Sequence, residues 1–316
     1  MDVAALSRKV IENVETVIVG KRDSVRLSLV CLLCEGHMLL EDVPGVAKTM
    51  LARALAKSVG CTFARIQCTP DLLPSDTTGV SVFNQKTLEF EFKQGPVFNQ
   101  ILLADEINRA TPRAQSALLE CMAERQVTAD GHTYPLSRPF MVLATQNPIE
   151  HEGTFPLPEA QLDRFLMRMS IGYPSFSDEN EMLERLRLGH PIDAVGQAVA
   201  PEELLAAQAE VRNVFVHDKV REYIVRLVHA TRHTADLAMG ASPRASMALY
   251  RTSQALAALE GRNYSTPDDA KYVVKSVLCH RVIVAPEARL RGHGAQQIID
   301  ALVESVPAPI EKGRQQ

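Results

Sequence analysis

The chain has no excess of positive charge, no apolar run long enough for a bilayer, and little cysteine. Lys and Arg total 34 against 38 Asp and Glu, a formal net charge of −4. A generic binder of nucleic-acid backbones is normally basic overall, so the composition argues against that class. The first 196 residues are net acidic and the remainder slightly basic, an asymmetry too mild to name a partner. The most apolar early stretch, Leu27 to Cys34, is enclosed by Arg26 and Glu35. It falls far short of the roughly 20 residues a membrane-spanning helix needs. Met1-Asp2 opens without the basic segment of an export leader, and the expectation is a cytoplasmic chain with no membrane insertion. The six cysteines mostly sit inside apolar runs, as reduced and buried thiols do. Cys31-Leu-Leu-Cys34 has the spacing of a redox or zinc pair, but no second pair completes a tetrahedral site. What is present is ordinary: 46% apolar and 23% charged residues over 316 positions. That composition supports a full-sized core, excludes disorder, collagen and a disulfide scaffold, and the length suggests two domains.

Residues 37–173 alternate short apolar runs with helical patterns. Segments 37–41, 62–66, 101–104, 140–144 and 168–172 predict five strands, and those apolar throughout suit a parallel sheet buried on both faces. The clearest helix opens at Thr111-Pro112, a hydroxyl cap followed by proline in the first turn. It then sets Ala114, Ala117, Leu118, Cys121 and Met122 on one face. Strand and helix in alternation predict an α/β core with crossover helices on both faces. Two stretches break the rhythm. Val80 to Phe92 and Val127 to Leu136 read as hairpins, the second turning at Asp130-Gly131, and both are expected to project from the sheet. Beyond Pro174 the pattern becomes helical, near 202–215, 218–234, 243–260 and 267–284. Ser242-Pro243 and Thr266-Pro267 repeat the cap-plus-proline start. The expected division is an α/β core over 1–195 and a small all-α domain over 196–316.

Leu39 to Thr49, LLEDVPGVAKT, is a strand, a tight turn and a helix start. Backbone N–H groups and a helix N-terminus there can face an anion. Lys48 would meet the β and γ phosphates of a nucleotide, and the Thr49 hydroxyl would bind Mg²⁺. The strict GxxxxGK[ST] pattern fails twice, with Asp42 and Ala47 at its glycine positions, while Gly45 follows Pro44 where a positive φ is expected. Asp42 would repel a triphosphate unless its side chain turns away. About 56 residues beyond the Lys-Thr pair, Ile101-Leu-Leu-Ala-Asp105-Glu106 puts two acids at the end of a buried strand, where open α/β sheets bind ligands. Asp105 suits Mg²⁺ through water, and Glu106 suits orienting and deprotonating the attacking water. The alternative is a strand that merely ends in solvated acids. Arg244, just after the Ser242-Pro243 start, stands where a cation opposes the helix dipole, a conflict that an anion at the same helix end would relieve.

Taken with Ala144-Thr-Gln-Asn-Pro148, Leu157-Pro-Glu-Ala-Gln-Leu-Asp-Arg-Phe165 and Gly240-Ala-Ser-Pro-Arg-Ala245, these motifs make the chain resemble the MoxR family of AAA+ ATPases over nearly its whole length. The resemblance implies an AAA+ P-loop core followed by a helical lid, with ATP and Mg²⁺ as cofactors. The loop residues Pro44, Gly45, Val46, Ala47, Lys48, Thr49 and Met50 would then cradle the nucleotide, and Val19 and Gly20 would flank its base. Asn147 resembles the first sensor residue, Arg164 the arginine finger offered to a neighbouring subunit, and Arg244 the second sensor, with Arg168 as the fallback finger. The family usually forms hexamers, acts on other proteins in a chaperone-like way, and is associated with partners carrying a von Willebrand factor A domain. Its inserted hairpins resemble those facing the pore or client. Competing readings are a nucleic-acid motor, a magnesium-chelatase-like subunit, and a nucleotide-gated scaffold with negligible hydrolysis. Glu106 speaks against the last, because a switch that never hydrolyses has no need of a general base. His229 and His233 have helical spacing but lack the intervening acid of a zinc-protease motif.

Overall fold

A computed structural model describes residues 1–148, 153–187, 189 and 191–309. The chain forms two compact units, one running from Ala5 to Gln208 and the other joining Met1–Ala4 to the chain from Ala209 onward. The expectation placed the division near 195; in the structure the segment between follows the first unit, where the buried Gln208 amide donates to the Leu32 carbonyl at 2.8 Å.

The first unit opens with α1 (Val3–Glu15) from Ala5 onward and α2 (Arg22–Leu33), then β1 (Met38–Glu41), α3 (Lys48–Ser58), β2 (Phe63–Gln67), α4 (Pro74–Thr78), β3 (Gly79–Asn84), β4 (Glu89–Gln94) and β5 (Ile101–Asp105). It continues through α5 (Pro112–Glu124), β6 (Gln126–Ala129), β7 (His132–Pro135), β8 (Met141–Gln146), α6 (Glu159–Leu162), β9 (Met167–Met169), α7 (Phe176–Leu186) and α8 (Pro191–Ala194). Five strands make one parallel sheet in the order β2-β5-β8-β1-β9. Position in the sheet follows composition. β5 and β8 are apolar for at least four residues and occupy interior places, whereas Phe63-Ala-Arg-Ile-Gln67, with two polar side chains, takes an edge. One face, built from Leu39, Leu102, Ala104, Val142 and Ala144, packs on Leu118, Leu119 and Met122 of α5. The alternate residues Met38, Leu40, Ile101, Leu103, Met141 and Leu143 are equally buried on the other. There Met38 meets Ser28 of α2. α5 starts as its sequence predicts, with the Thr111 hydroxyl accepting from the Ala114 N–H.

β9 is shorter than the expected 168–172. Ser170 donates its hydroxyl to the Asp42 carboxylate, as do the Ile171 and Gly172 N–H groups, and Gly172 leaves the extended region at φ +68°. Those donors are therefore unavailable to a strand ladder.

Both inserted hairpins form, each a two-stranded sheet separate from the core, β3 with β4 and β6 with β7. The β6–β7 turn has Asp130 at φ +50° and Gly131 at φ +76°, the twist that antiparallel strands require of a two-residue loop. Phe92 stacks on Tyr134 at 4.3 Å, so the hairpins support one another, while Phe83 and Phe90 pair at 5.3 Å with both rings exposed.

α9 (Pro201–Val211) leads to the second unit, whose strand pairs are β10 (Phe215–Val216) with β12 (Tyr264–Ser265) and β11 (Leu237–Met239) with β13 (Ile283–Val284). Its helices are α10 (Asp218–His233), α11 (Pro243–Leu259), α12 (Pro267–Leu278), α13 (Pro286–Leu290) and α14 (Ala295–Ser305). α11 is its centre, with Ala245, Leu249, Thr252, Ala255 and Ala257 fully or nearly buried; the small side chains let neighbouring helices approach closely. α12 is held at its start by Asp269, which caps Thr266 and takes both arms of Arg262 at 2.6 and 2.8 Å. Among the described residues no helix is long and apolar enough to cross a membrane.

Candidate nucleotide site

β1 lies between β8 and β9 although β2 follows it in sequence, so the connections leaving the adjacent strands β1 and β8 run in opposite directions across the sheet. Open α/β sheets bind ligands beyond the strand ends at such a point. The loop 42–49 follows β1 there and feeds directly into α3. Gly45 adopts φ +87°, and a side chain at that position would meet nothing within 4 Å, leaving its backbone open to a ligand. Ala47 is held at φ +58°, a left-handed conformation that costs an L-residue about 1 kcal/mol. The Lys48 ammonium donates to the carbonyls of Asp42 at 2.8 Å and Val43 at 3.2 Å.

Asp42 does turn away. Its carboxylate is only 6% exposed and accepts from Ser170 Oγ at 2.9 Å, from the Gly172 N–H at 3.2 Å and from the Ile171 N–H. Three donors replace the water lost on burial, and the charge faces the end of β9. Glu41, beside it, pairs with Arg168 at 3.0 Å, so the fallback finger is engaged within its own unit.

At the end of β5 the acids are held from four sides. Asp105 Oδ2 accepts from Arg65 Nε at 3.1 Å and Nη2 at 2.6 Å, and Asp105 Oδ1 accepts from the Thr145 hydroxyl at 2.6 Å. The same Thr145 oxygen takes the Glu106 N–H at 2.8 Å and so fixes both acids to β8. Glu106 adopts φ +57°, and its Oε2 accepts from Gln67 Nε2 at 3.1 Å and Arg109 Nη1 at 3.0 Å. The negative field is felt next door: the Cys68 thiol is pushed up to about 12, first by burial and then by the charges of Asp105 and Glu106.

Pro44, Gly45, Val46, Ala47, Lys48, Thr49 and Met50 line one cavity of about 260 Å³ together with Arg65, Asp105, Glu106 and Asn147. Most of the expected site residues thus converge. The Thr49 hydroxyl and the Asp105 carboxylate are the hard oxygen donors Mg²⁺ takes, and Lys48 with the start of α3 suits polyphosphate, so the residues fit a magnesium–nucleotide complex.

The remaining expected residues stand outside that lining. Val19 is buried, and Gly20, at φ +69°, is approached so closely by the Asp178 carboxyl at the start of α7 that a Cβ there would clash with it. Arg164, after α6, is exposed, with no side-chain partner among the described residues. Arg244 belongs to the second unit, exposed in the first turn of α11, where its N–H donates to the Ser242 hydroxyl at 3.2 Å. His229 and His233 stack loosely at 6.3 Å. Sequence reasoning missed Arg65, Gln67 and Arg109. The polar residues of Arg65-Ile-Gln67 on an otherwise apolar strand were the available signal, but their meaning depends on the Gln67–Asp105 register between β2 and β5. The second hairpin brings no cationic edge: Arg125 and Arg138, which flank it, both bond Glu35.

A strand–loop–helix phosphate site on β1, paired acids at the end of β5 two places along the same sheet and a following helical unit define a P-loop ATPase of the AAA+ class. Residues 37–167 match the ATPase family associated with various cellular activities (AAA), and residues 229–302 match the AAA lid domain. The chain is 51% identical to YeaC of Bacillus subtilis, an uncharacterized protein, over 98% of this chain and 97% of that one. It is 44% identical to the chaperone MoxR1 of Mycobacterium tuberculosis, over 98% of this chain and 83% of the relative. The crystal structure of a candidate ATPase from Cytophaga hutchinsonii superposes with a TM-score of 0.91 at 41% identity, covering 98% of this chain and 97% of that one. The chain belongs to the MoxR family of AAA+ ATPases.

Proposed function

We propose that this chain hydrolyses MgATP within a ring of identical subunits, a hexamer, and couples turnover to the remodelling, assembly or activation of partner proteins in the cytoplasm. The observation that carries the reading is the meeting of Lys48, Thr49, Asp105, Glu106 and Asn147 on one cavity at the strand ends. In it, Lys48 and the N–H groups at the start of α3 bind the phosphates, while Thr49 and, through water, Asp105 hold Mg²⁺. The metal, when bound, offsets phosphate charge. Glu106 receives a proton from the attacking water, which the Asn147 amide orients. Val19 and Gly20 border the base.

Arg164 serves the neighbouring subunit's nucleotide, a role supported by its exposure and lack of a partner among the described residues. Arg244 senses the phosphates from the helical lid, where an anion relieves its conflict with the dipole of α11. The unit from Ala5 to Gln208 acts as the nucleotide core and the chain from Ala209 onward as the lid. The name of the Mycobacterium tuberculosis relative supports a chaperone role, and the proposed partners are proteins with a von Willebrand factor A domain.

The test is ATPase turnover of Glu106→Gln against wild type, with nucleotide binding and assembly mass followed in parallel. Turnover is expected to fall on the order of 10²–10³-fold while ATP binding and assembly persist. Unchanged turnover would remove Glu106 from its role.

A further inference from the structure

Asp105 is held by a cation that the hydrolytic scheme above does not use. Arg65 reaches it from β2, the edge strand paired with β5, and spends two N–H bonds on one oxygen, Asp105 Oδ2, at 3.1 and 2.6 Å. Its Nη2 also donates to Gln67 Oε1 at 2.7 Å. Two donors occupy both lone-pair positions of that oxygen, and the Thr145 hydroxyl takes one position on Oδ1. One position on Oδ1 stays open, so a metal-bound water that takes Oδ2 has to displace the guanidinium, and one on Oδ1 shares the carboxylate's charge with it. The pair is also unequal in burial: the Asp105 side chain is 14% exposed and that of Arg65 47%. A guanidinium so open to solvent contributes little to stability through such a pair and is free to leave it. Arg65 lines the same cavity as Lys48 and Thr49, so it leaves into the nucleotide site rather than away from it.

The geometry points to Arg65 as a gate on Asp105, a positioning residue whose guanidinium competes with Mg²⁺ for that carboxylate and so sets the metal concentration at which the nucleotide site loads. This rests on the nucleotide reading of the cavity. Arg65 neutralises the acid when no metal is bound, limits the local negative potential felt by the incoming phosphates, and yields when a divalent cation with its water shell arrives.

The test uses the full chain and a fluorescent ADP, with Mg²⁺ titrated at fixed nucleotide and binding rather than turnover as the readout. In Arg65→Ala the half-saturating Mg²⁺ concentration is expected to fall roughly three- to tenfold. Arg65→Lys keeps the charge but loses the two-pronged contact, and is expected to fall in between. Arg65→Gln carries the expectation of the alanine variant should that one not fold. An unchanged Mg²⁺ midpoint, with only a lowered melting temperature, would make the ion pair purely structural and overturn the gate. Loss of ADP binding at every Mg²⁺ concentration would also overturn it, since Arg65 would then be a phosphate contact. Lys48→Ala separates the two levels. If wild type binds no ADP, or Lys48→Ala binds it as well as wild type does, the nucleotide reading itself fails.

Discussion

β1 and β5 both run an apolar strand into two consecutive acids, Glu41-Asp42 in one case and Asp105-Glu106 in the other. In β1 the pair is disarmed: Arg168 takes Glu41, and Asp42 is turned into the N–H groups and hydroxyl beyond β9. In β5 the pair faces the cavity and is bonded there by Thr145, Arg65, Gln67 and Arg109. The same two-acid signal therefore serves once as a clamp and once, in the proposed function, as reactive machinery. The difference lies in the neighbouring strands: β9 offers backbone donors beside β1, whereas β2 and β8 offer side chains beside β5.

The comparison can be broken at several points. The largest effect belongs to the inward pair, the loss of turnover expected for Glu106→Gln. Next comes the start of β1, where His37 precedes the strand and is fully buried. Its Nε2 donates to the Met122 carbonyl at 3.0 Å, and its Nδ1 accepts the Val142 N–H at 2.9 Å. Burial pushes its pKa down from 6.5 to about 4, against the opposing pull of the Met122 carbonyl and with help from the charge of Arg125. The unfolded chain protonates His37 near pH 6.5 and the folded chain does not. Stability from this group is complete above that pH and is lost progressively as pH falls toward about 4. The full loss is on the order of 3 kcal/mol. Urea midpoints measured between pH 7 and about 4.5 should show this slope in wild type and lose it in His37→Gln. Equal slopes in the two proteins would remove His37 as its source.

A smaller effect is expected from the outward pair. Asp42→Asn keeps the shape but sets an NH₂ group against N–H and O–H donors, at a cost of about 1–3 kcal/mol. Because Asp42 points away from the cavity, turnover per folded molecule should stay within a few-fold of wild type. A loss of turnover matching that of Glu106→Gln, with stability unchanged, would mean that Asp42 faces the nucleotide after all.

Much of this was legible in the sequence, and what was not has a common cause. The apolar run ending in Asp105-Glu106, the Thr111-Pro112 helix start and the Asp130-Gly131 turn are local signals, each decided by residues a few positions apart. The direction of Asp42 was not legible, because its donors lie some 128–130 residues away, at Ser170, Ile171 and Gly172. The end of β9 was misread for the same reason, since those donors serve a carboxylate instead of a ladder. Arg65 escaped notice because only the pairing of β2 with β5 gives it Asp105 as a partner.

The finest test lies within the phosphate loop, where two positions that the general pattern fills with glycine hold Asp42 and Ala47. They are not equivalent. Asp42 is absent from the residues with positive φ, whereas Ala47 has φ +58°. A glycine at 47 removes the steric penalty on the left-handed backbone, about 1 kcal/mol, but adds freedom to the unfolded chain, which offsets part of the gain. Ala47→Gly should therefore raise stability by about 0.5 kcal/mol, or leave it level. Asp42→Gly, which equally moves the loop toward the general pattern, should lower it by discarding a three-donor clamp. Melting curves of the two variants against wild type check this opposition of sign. A destabilised Ala47→Gly together with a stabilised Asp42→Gly would show that the loop's backbone, rather than the bonds to β9, decides which residue each position accepts.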